Sequence, residues 1–148
     1  MNRWTNKGSL MRRQHGFSMI EMMIVLVIMA ILASIAIPSY RKYGVRSHRV
    51  DAQRALTDLA ARQERFLYSN NAYASDLASL GGSSSQAGAY YSVGIDPANT
   101  SSTTFKLVAT ATGTQKRDDD ACQTLSLDQA GRQGSTGTAA NDPACWGR

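Results

Sequence analysis

Phe17–Ile37 reads FSMIEMMIVLVIMAILASIAI and carries a single charge, Glu21. A helix of about 20 apolar residues crosses the hydrocarbon layer of a bilayer, so this stretch is long enough to span a membrane. Directly before it stands Arg12-Arg13-Gln14-His15-Gly16-Phe17. An ordinary secretory signal has a shorter apolar core with a small-residue cleavage site after it. Here the evident boundary lies ahead of the apolar run. Cleavage after Gly16 would remove a basic leader, residues 1–16, and keep the hydrophobic helix. That leader contains Arg3, Lys7, Arg12 and Arg13 and no acid, while the whole chain has 16 basic and 11 acidic residues and a net charge of +5. Setting those four aside leaves 12 basic against 11 acidic residues, a net of +1. The basicity thus belongs largely to the N-terminal tail. Basic residues flanking an apolar span stay on the cytoplasmic side; the competing explanation is a nucleic-acid-binding arm.

Glu21 lies about one turn into the apolar run. A carboxylate inside a membrane helix costs on the order of 2.5–3.5 kcal/mol or more, so such a residue usually has a partner or a task. After cleavage Glu21 is the fifth residue, and Phe17 carries a new positive amine one turn away. That amine, in the same subunit or a neighbour, is a suitable partner. A Glu near a helix end that reaches up to the interface explains the residue equally well.

Beyond Pro38 a helical pattern continues, with Val45, Ala52, Leu56, Leu59, Gln63 and Phe66 at spacings of three, four and seven. These form one face able to pack on a sheet. A helix from Phe17 to about Tyr68 measures roughly 75–80 Å at 1.5 Å per residue, too long for a small globule and suitable for a fibre subunit. Pro38 removes a backbone donor and should kink it; Gly44 is a second weak point. Arg41, Lys42, Arg46, Arg49, Arg54, Arg62 and Arg65 decorate the segment. They read as a solvated face with juxtamembrane anchoring, or as a strip for DNA phosphates. Interleaved Asp51, Asp58 and Glu64, with no aromatic ladder, favour the former.

The polar stretch 69–88 reads as a loop that Tyr73, Leu77 and Leu80 pin down. Strands are expected over Tyr90–Ile95, Thr104–Thr112 and Cys122–Asp128. The Gly-, Ser- and Thr-rich tail 131–141 is floppy unless tied. Two cysteines, Cys122 and Cys145, in a small exported domain suggest one disulfide; two buried thiols are the alternative. Two thiols do not complete a zinc site, and His15 and His48 are remote in sequence. Asp118-Asp119-Asp120 invites a Ca²⁺ reading, but consecutive side chains point apart and a solvated turn is preferred. No catalytic constellation and no cofactor motif stands out. The expectation is a substrate of enzymes and not an enzyme, with no metal and no cofactor.

GFSMIEMMIVLVIMAILASIAIPSY resembles the class III signal of type IV pilins and type II secretion pseudopilins. Gly16, Phe17, Glu21 and Pro38 match its pattern in place. ARQERFLYSNNAYASDLASLG, TTFKLVATATGTQKRDDDACQTLSLDQAGRQG and the ending CW are similar to PilE-type minor pilins, so the resemblance covers nearly the whole chain. It implies an α+β fold, a long N-terminal helix packed on a small antiparallel sheet. The implied organisation is a leader over 1–16, a transmembrane and assembly helix over 17–38, and a periplasmic or extracellular head over 39–148 with a disulfide-closed C-terminal loop. It also implies cleavage at Gly16 and methylation of the Phe17 amine by a prepilin peptidase, and assembly aided by Glu21 pairing with a neighbour's amine. One position departs from the pattern. Where many pilins have Gly eight residues before the proline, this chain has Ala30, the best helix former, which makes local melting before Pro38 harder.

The resemblance points to a structural subunit, of the minor kind, stored in the inner membrane and assembled with other pilins into a surface fibre for twitching motility, adhesion or DNA uptake. A pseudopilin of type II secretion and a DNA-binding receptor pilin are the alternatives.

Overall fold

The computed structural model describes residues 16–147; the leader residues read above as Arg3, Lys7, Arg12 and Arg13 lie outside them. The chain falls into two compact units, dividing between Ser39 and Tyr40. Helix α1 spans Met19–Asn70 and includes Pro38. Then follow β1 (Tyr91–Ile95), β2 (Lys106–Ala111), the short helix α2 (Gly113–Asp118), β3 (Thr124–Asp128) and β4 (Gln133–Thr136). Short 3₁₀ turns occupy Pro97–Asn99 and Pro143–Trp146.

In the first unit, α1 begins where Ser18 precedes the apolar run. Its side chains from Met19 to Ile37 are all exposed, because nothing in this unit packs on them. Ser34, the hydroxyl within this run, donates to the carbonyl of Ile31 at 2.7 Å, so its polar group is satisfied inside the helix.

In the second unit the pattern changes to one buried stripe. Ala52, Ala55, Leu56, Leu59 and Gln63 are buried, matching the spacing of the sequence. They meet a four-stranded antiparallel sheet in the order β1-β2-β3-β4. The register aligns Val93, Ala109, Leu125 and Ser135 in one row. Ile95, Leu107, Leu127 and Gln133 form the next. Side chains at every second position share a face, so these rows put Val93, Leu107, Ala109, Leu125 and Leu127 into the core with Tyr91 and Phe105. Phe105 meets the ring of Tyr73 edge-on at 4.8 Å between centroids. The loop after α1 is held by Gln63, whose amide Nε2 donates to the Ala74 carbonyl at 2.9 Å while its Oε1 accepts from the Ala74 N–H at 2.8 Å. One side chain thus pairs with a backbone unit as a neighbouring strand would.

The tail differs from its sequence reading. Residues 133–136 form β4, and the segment beyond is fastened by the Trp146 indole, which donates to the Gly134 carbonyl at 2.9 Å, and by Asn141 N–H to Ser135 carbonyl at 2.8 Å. The strand is hard to see in sequence because QGST shows one inward side chain, Ser135, and no apolar alternation. Gly137 explains part of the composition: a Cβ there would lie 2.2 Å from the Ala121 carbonyl oxygen, so the backbone approach requires glycine.

Candidate assembly helix and head clasp

Gly16 is exposed, and a Cβ added to it meets nothing within 4 Å. The folded chain therefore tolerates a side chain at this position. Phe17 is 79% exposed and is the first large apolar residue of the span. Ser18 caps the helix, its carbonyl accepting the first helical bond from Met22 N–H at 3.2 Å. Glu21 stands three residues later and its Oε2 accepts from the Ser18 N–H at 3.5 Å. Ser-x-x-Glu is the spacing of a capping box, in which the acid satisfies a backbone donor and its charge favours the helix N-terminus. That signal, Ser18-Met19-Ile20-Glu21, was present in the sequence but was masked by the apolar context, which drew attention to the cost of the charge. Ala30 and Pro38 both lie within α1.

The head is joined to α1 by a polar clasp. Arg49 donates from Nε to Asp119 Oδ2 at 2.7 Å and from Nη2 to Asp119 Oδ1. Its Nη1 donates to the Ala144 carbonyl at 3.3 Å. Gln115, on α2, is 1% exposed. Its Nε2 faces Asp119 Oδ2 at 2.8 Å, the Tyr91 hydroxyl at 3.2 Å and the Val45 carbonyl at 3.2 Å, all acceptors. The amide orientation is thereby fixed, and Oε1 faces Nδ1 of His48 at 2.9 Å. An amide oxygen only accepts, so Nδ1 of His48 is the donor in this contact. Its ring stacks on Tyr90 with centroids 3.5 Å apart. Hydrogen bonding to Asp119 raises the Arg49 pKa, against the desolvation that lowers it. Burial pushes the Tyr91 phenol up to about 12, against the opposing bond from Gln115.

Cys122 and Cys145 form a disulfide, with Cα atoms 5.6 Å apart. It joins the clasp, since Gln53 Nε2 donates to the Cys145 carbonyl at 3.0 Å. The acidic run is not a solvated turn throughout, and this corrects the sequence reading. Asp118 pairs with Arg117 at 2.7 Å on the surface, which lowers its pKa, and Asp120 is exposed. Asp119 instead turns inward to 3% exposure and holds Arg49. Consecutive side chains do point apart, and that is why one of the three is buried. No group of three or more metal-ligating residues occurs among the described residues.

The basic strip is divided in the same way. Arg49 is committed to Asp119, Arg54 faces Asp51 at 3.4 Å, and Arg62 pairs with Asp58 at 2.9 Å while donating to the carbonyls of Leu80 and Gly81. Arg41, Lys42, Arg46 and Arg65 are exposed and make no salt bridge among the described residues.

Comparison with known proteins gives two family matches. Residues 11–37 match the prokaryotic N-terminal methylation motif, and residues 38–126 match the family described as type IV minor pilin ComP, DNA uptake sequence receptor. The type IV major pilin protein PilA of Myxococcus xanthus is 42% identical over 66 residues, 45% of this chain and 30% of that protein. The type IV wide pilus major component PilA4 of Thermus thermophilus is 37% identical over 70 residues, 47% of this chain and 53% of that one. The type II secretion system core protein G of Aeromonas hydrophila is 35% identical over 65 residues, 42% of this chain and 43% of that one. The matches span between about a third and a half of these relatives' lengths. The crystal structure of the Neisseria meningitidis non-core minor pilin PilV superposes with a TM-score of 0.52 at 21% identity, over 65% of this chain and 90% of that one, a likeness of fold. With a long N-terminal helix on a four-stranded antiparallel sheet, and a family match across more than half its length, the chain belongs to the type IV minor pilin family.

Proposed function

We propose that this protein is a structural subunit of a type IV pilus, held in the inner membrane by the first part of α1 and then assembled with other pilins into a surface fibre. The observation that carries the reading is the exposed, largely apolar run Met19–Ile37 ahead of a closed head. So large an apolar surface needs a lipid or protein environment. In this reading a prepilin peptidase cuts after Gly16 and methylates Phe17. Glu21 then meets the amine of a neighbouring Phe17. The clasp and disulfide hold the C-terminal segment of the head against α1. Mass spectrometry of fibres sheared from cells tests the proposal. The chain should be found there with Phe17 as its N-terminal residue. Its retention in the envelope, with none in sheared fibres, would instead favour a pseudopilin role, which the similarity to the type II secretion protein keeps in view.

A second reading is favoured by the family match over residues 38–126: a fibre subunit that also captures DNA. Gel-shift titration of the head, from Tyr40 onward, against duplex DNA across a salt series tests it. Phosphate contacts would appear as affinity falling steeply with salt, and no shift at low salt would exclude this role.

A further inference from the structure

Resting on the membrane-stored reading above, we propose that Tyr40–Arg46 forms a collar that binds anionic phospholipid headgroups at the outer face of the membrane. Along α1 the apolar run ends at Ile37, and Tyr40-Arg41-Lys42-Tyr43 follow as one full turn. At 3.6 residues per turn their side chains spread round the whole helix circumference, and all four are exposed, Tyr40 by 79% and Tyr43 by 75%. A turn exposed on every side suits a surrounding medium more than a groove or a duplex lying along one face. Arg46 follows one turn after Lys42 and is also exposed. From Glu21 to Asp51 the sequence contains no other acid, and Arg49, the remaining cation there, is occupied by Asp119. Arg41 acts electrostatically on Asp118, but that carboxylate is held by Arg117.

The dimensions and chemistry agree. From Tyr40 to Arg46 the helix rises about 9 Å, against roughly 5–8 Å for one headgroup layer. Tyrosine places its ring at the boundary and its hydroxyl in the wet layer, while Lys and Arg extend their cationic ends to phosphate. Basic residues outside the span oppose the usual orientation bias. Their presence calls for an anionic partner on that side, and phosphatidylglycerol is the class this chemistry recognises.

The test uses the full mature chain reconstituted in vesicles of equimolar phosphatidylcholine and phosphatidylglycerol. The protein is excised with its surrounding lipid by a disc-forming polymer and the lipids are counted. Phosphatidylglycerol should be enriched severalfold around the wild type, less so at high salt. Arg41→Gln/Lys42→Gln/Arg46→Gln should abolish the enrichment, and Tyr40→Phe/Tyr43→Phe should keep it. Disulfide content and far-ultraviolet dichroism verify that each variant is folded. Equal lipid ratios around wild type and the triple variant would overturn the proposal. So would loss of enrichment on adding duplex DNA, which would assign the cations to nucleic acid. If alkaline carbonate strips the wild type from vesicles, the membrane-spanning reading fails and the collar with it. A chain that resists stripping but lacks lipid preference refutes the collar alone.

Discussion

Arg49, in the middle of α1, closes on Asp119, at the end of α2, through two hydrogen bonds that leave the carboxylate side chain 1% exposed. The pair joins residues 70 positions apart and brings Ala144 and the disulfide loop to the same guanidinium. A bidentate Arg–carboxylate contact fixes direction as well as distance. Its role is to specify where the tail docks, because the desolvation of a buried pair offsets much of its attraction.

This asymmetry gives the first prediction. Asp119→Ala strands the Arg49 charge and should destabilise the head by about 3 kcal/mol, with Arg49→Ala costing a similar amount. The double variant should cost clearly less than the sum, since it leaves no orphan. Arg49→Lys should fail to restore stability, because a point-like ammonium does not reproduce the fork. Denaturant midpoints of the four proteins close the cycle. Additive losses would show that the two residues act independently.

The Tyr91 phenol sits in the same clasp, with its ionisation pushed up to about 12 from 10.0 by burial. A folded-state pKa above the unfolded one means stability is fully present below the unfolded value and is lost as pH rises through the folded one. Stability should hold up to pH 10 and fall between there and 12. Tyr91→Phe should remove most of that alkaline loss while leaving the disulfide intact. Spectroscopic titration should show a tyrosine transition near pH 12 that Tyr91→Phe removes; an unchanged titration curve in the variant would refute the assignment.

The long helix and the apolar span were legible because their signals are local: an uninterrupted hydrophobic run, and then Ala52, Leu56, Leu59 and Gln63 repeating with the helical period. The first three strands were legible, β2 and β3 through apolar alternation, which in β3 places Leu125 and Leu127 inward. β4 was not, since an edge strand with one inward Ser135 leaves almost no hydrophobic trace. The clasp was also hidden. Its members, His48, Arg49, Tyr91, Gln115 and Asp119, are polar residues scattered over the chain, and only the fold shows that one aspartate of three faces inward. The disulfide was readable because two cysteines leave one pairing. The Ser18-x-x-Glu21 spacing of the capping contact is local and stands in the sequence.

The tail yields a third prediction. Disulfide Cys122–Cys145 closes a loop with a sequence separation of 23, worth roughly 3 kcal/mol in the chain-entropy treatment. Reduction should lower stability by about that amount, yet the native protein should titrate no free thiol. Gly137→Ala should hurt as much by a different route, since its Cβ meets the Ala121 backbone at 2.2 Å and neither strand end can retreat freely. Backbone hydrogen exchange should show loss of protection confined to residues near β4 in the Gly137 variant. Wild-type stability in Gly137→Ala would mean that the tail is not held as described.

Glu21 supports the last prediction, and the capping contact sharpens it. One carboxylate has two roles to be separated: accepting from the Ser18 N–H within its own helix at 3.5 Å, and the proposed pairing with the Phe17 amine of a neighbouring subunit. The first needs an acceptor oxygen at that position; the second needs a negative charge. Glu21→Gln keeps the oxygen and removes the charge, whereas Glu21→Ala removes both. Both variants should insert into the membrane, since each lowers the cost of the apolar span. Both should be cut after Gly16, whose surroundings are open on every side. If the charge marks the register between crowded helices of low dielectric, both variants should drop out of sheared fibres, by about tenfold for each 1.4 kcal/mol of docking energy lost. A fibre that admits Glu21→Gln but rejects Glu21→Ala would assign the residue to helix capping. Normal incorporation of both would leave the carboxylate a tolerated passenger, with the apolar surface alone driving assembly. Membrane level, N-terminal sequence and fibre content, measured on the same cultures, separate the three outcomes.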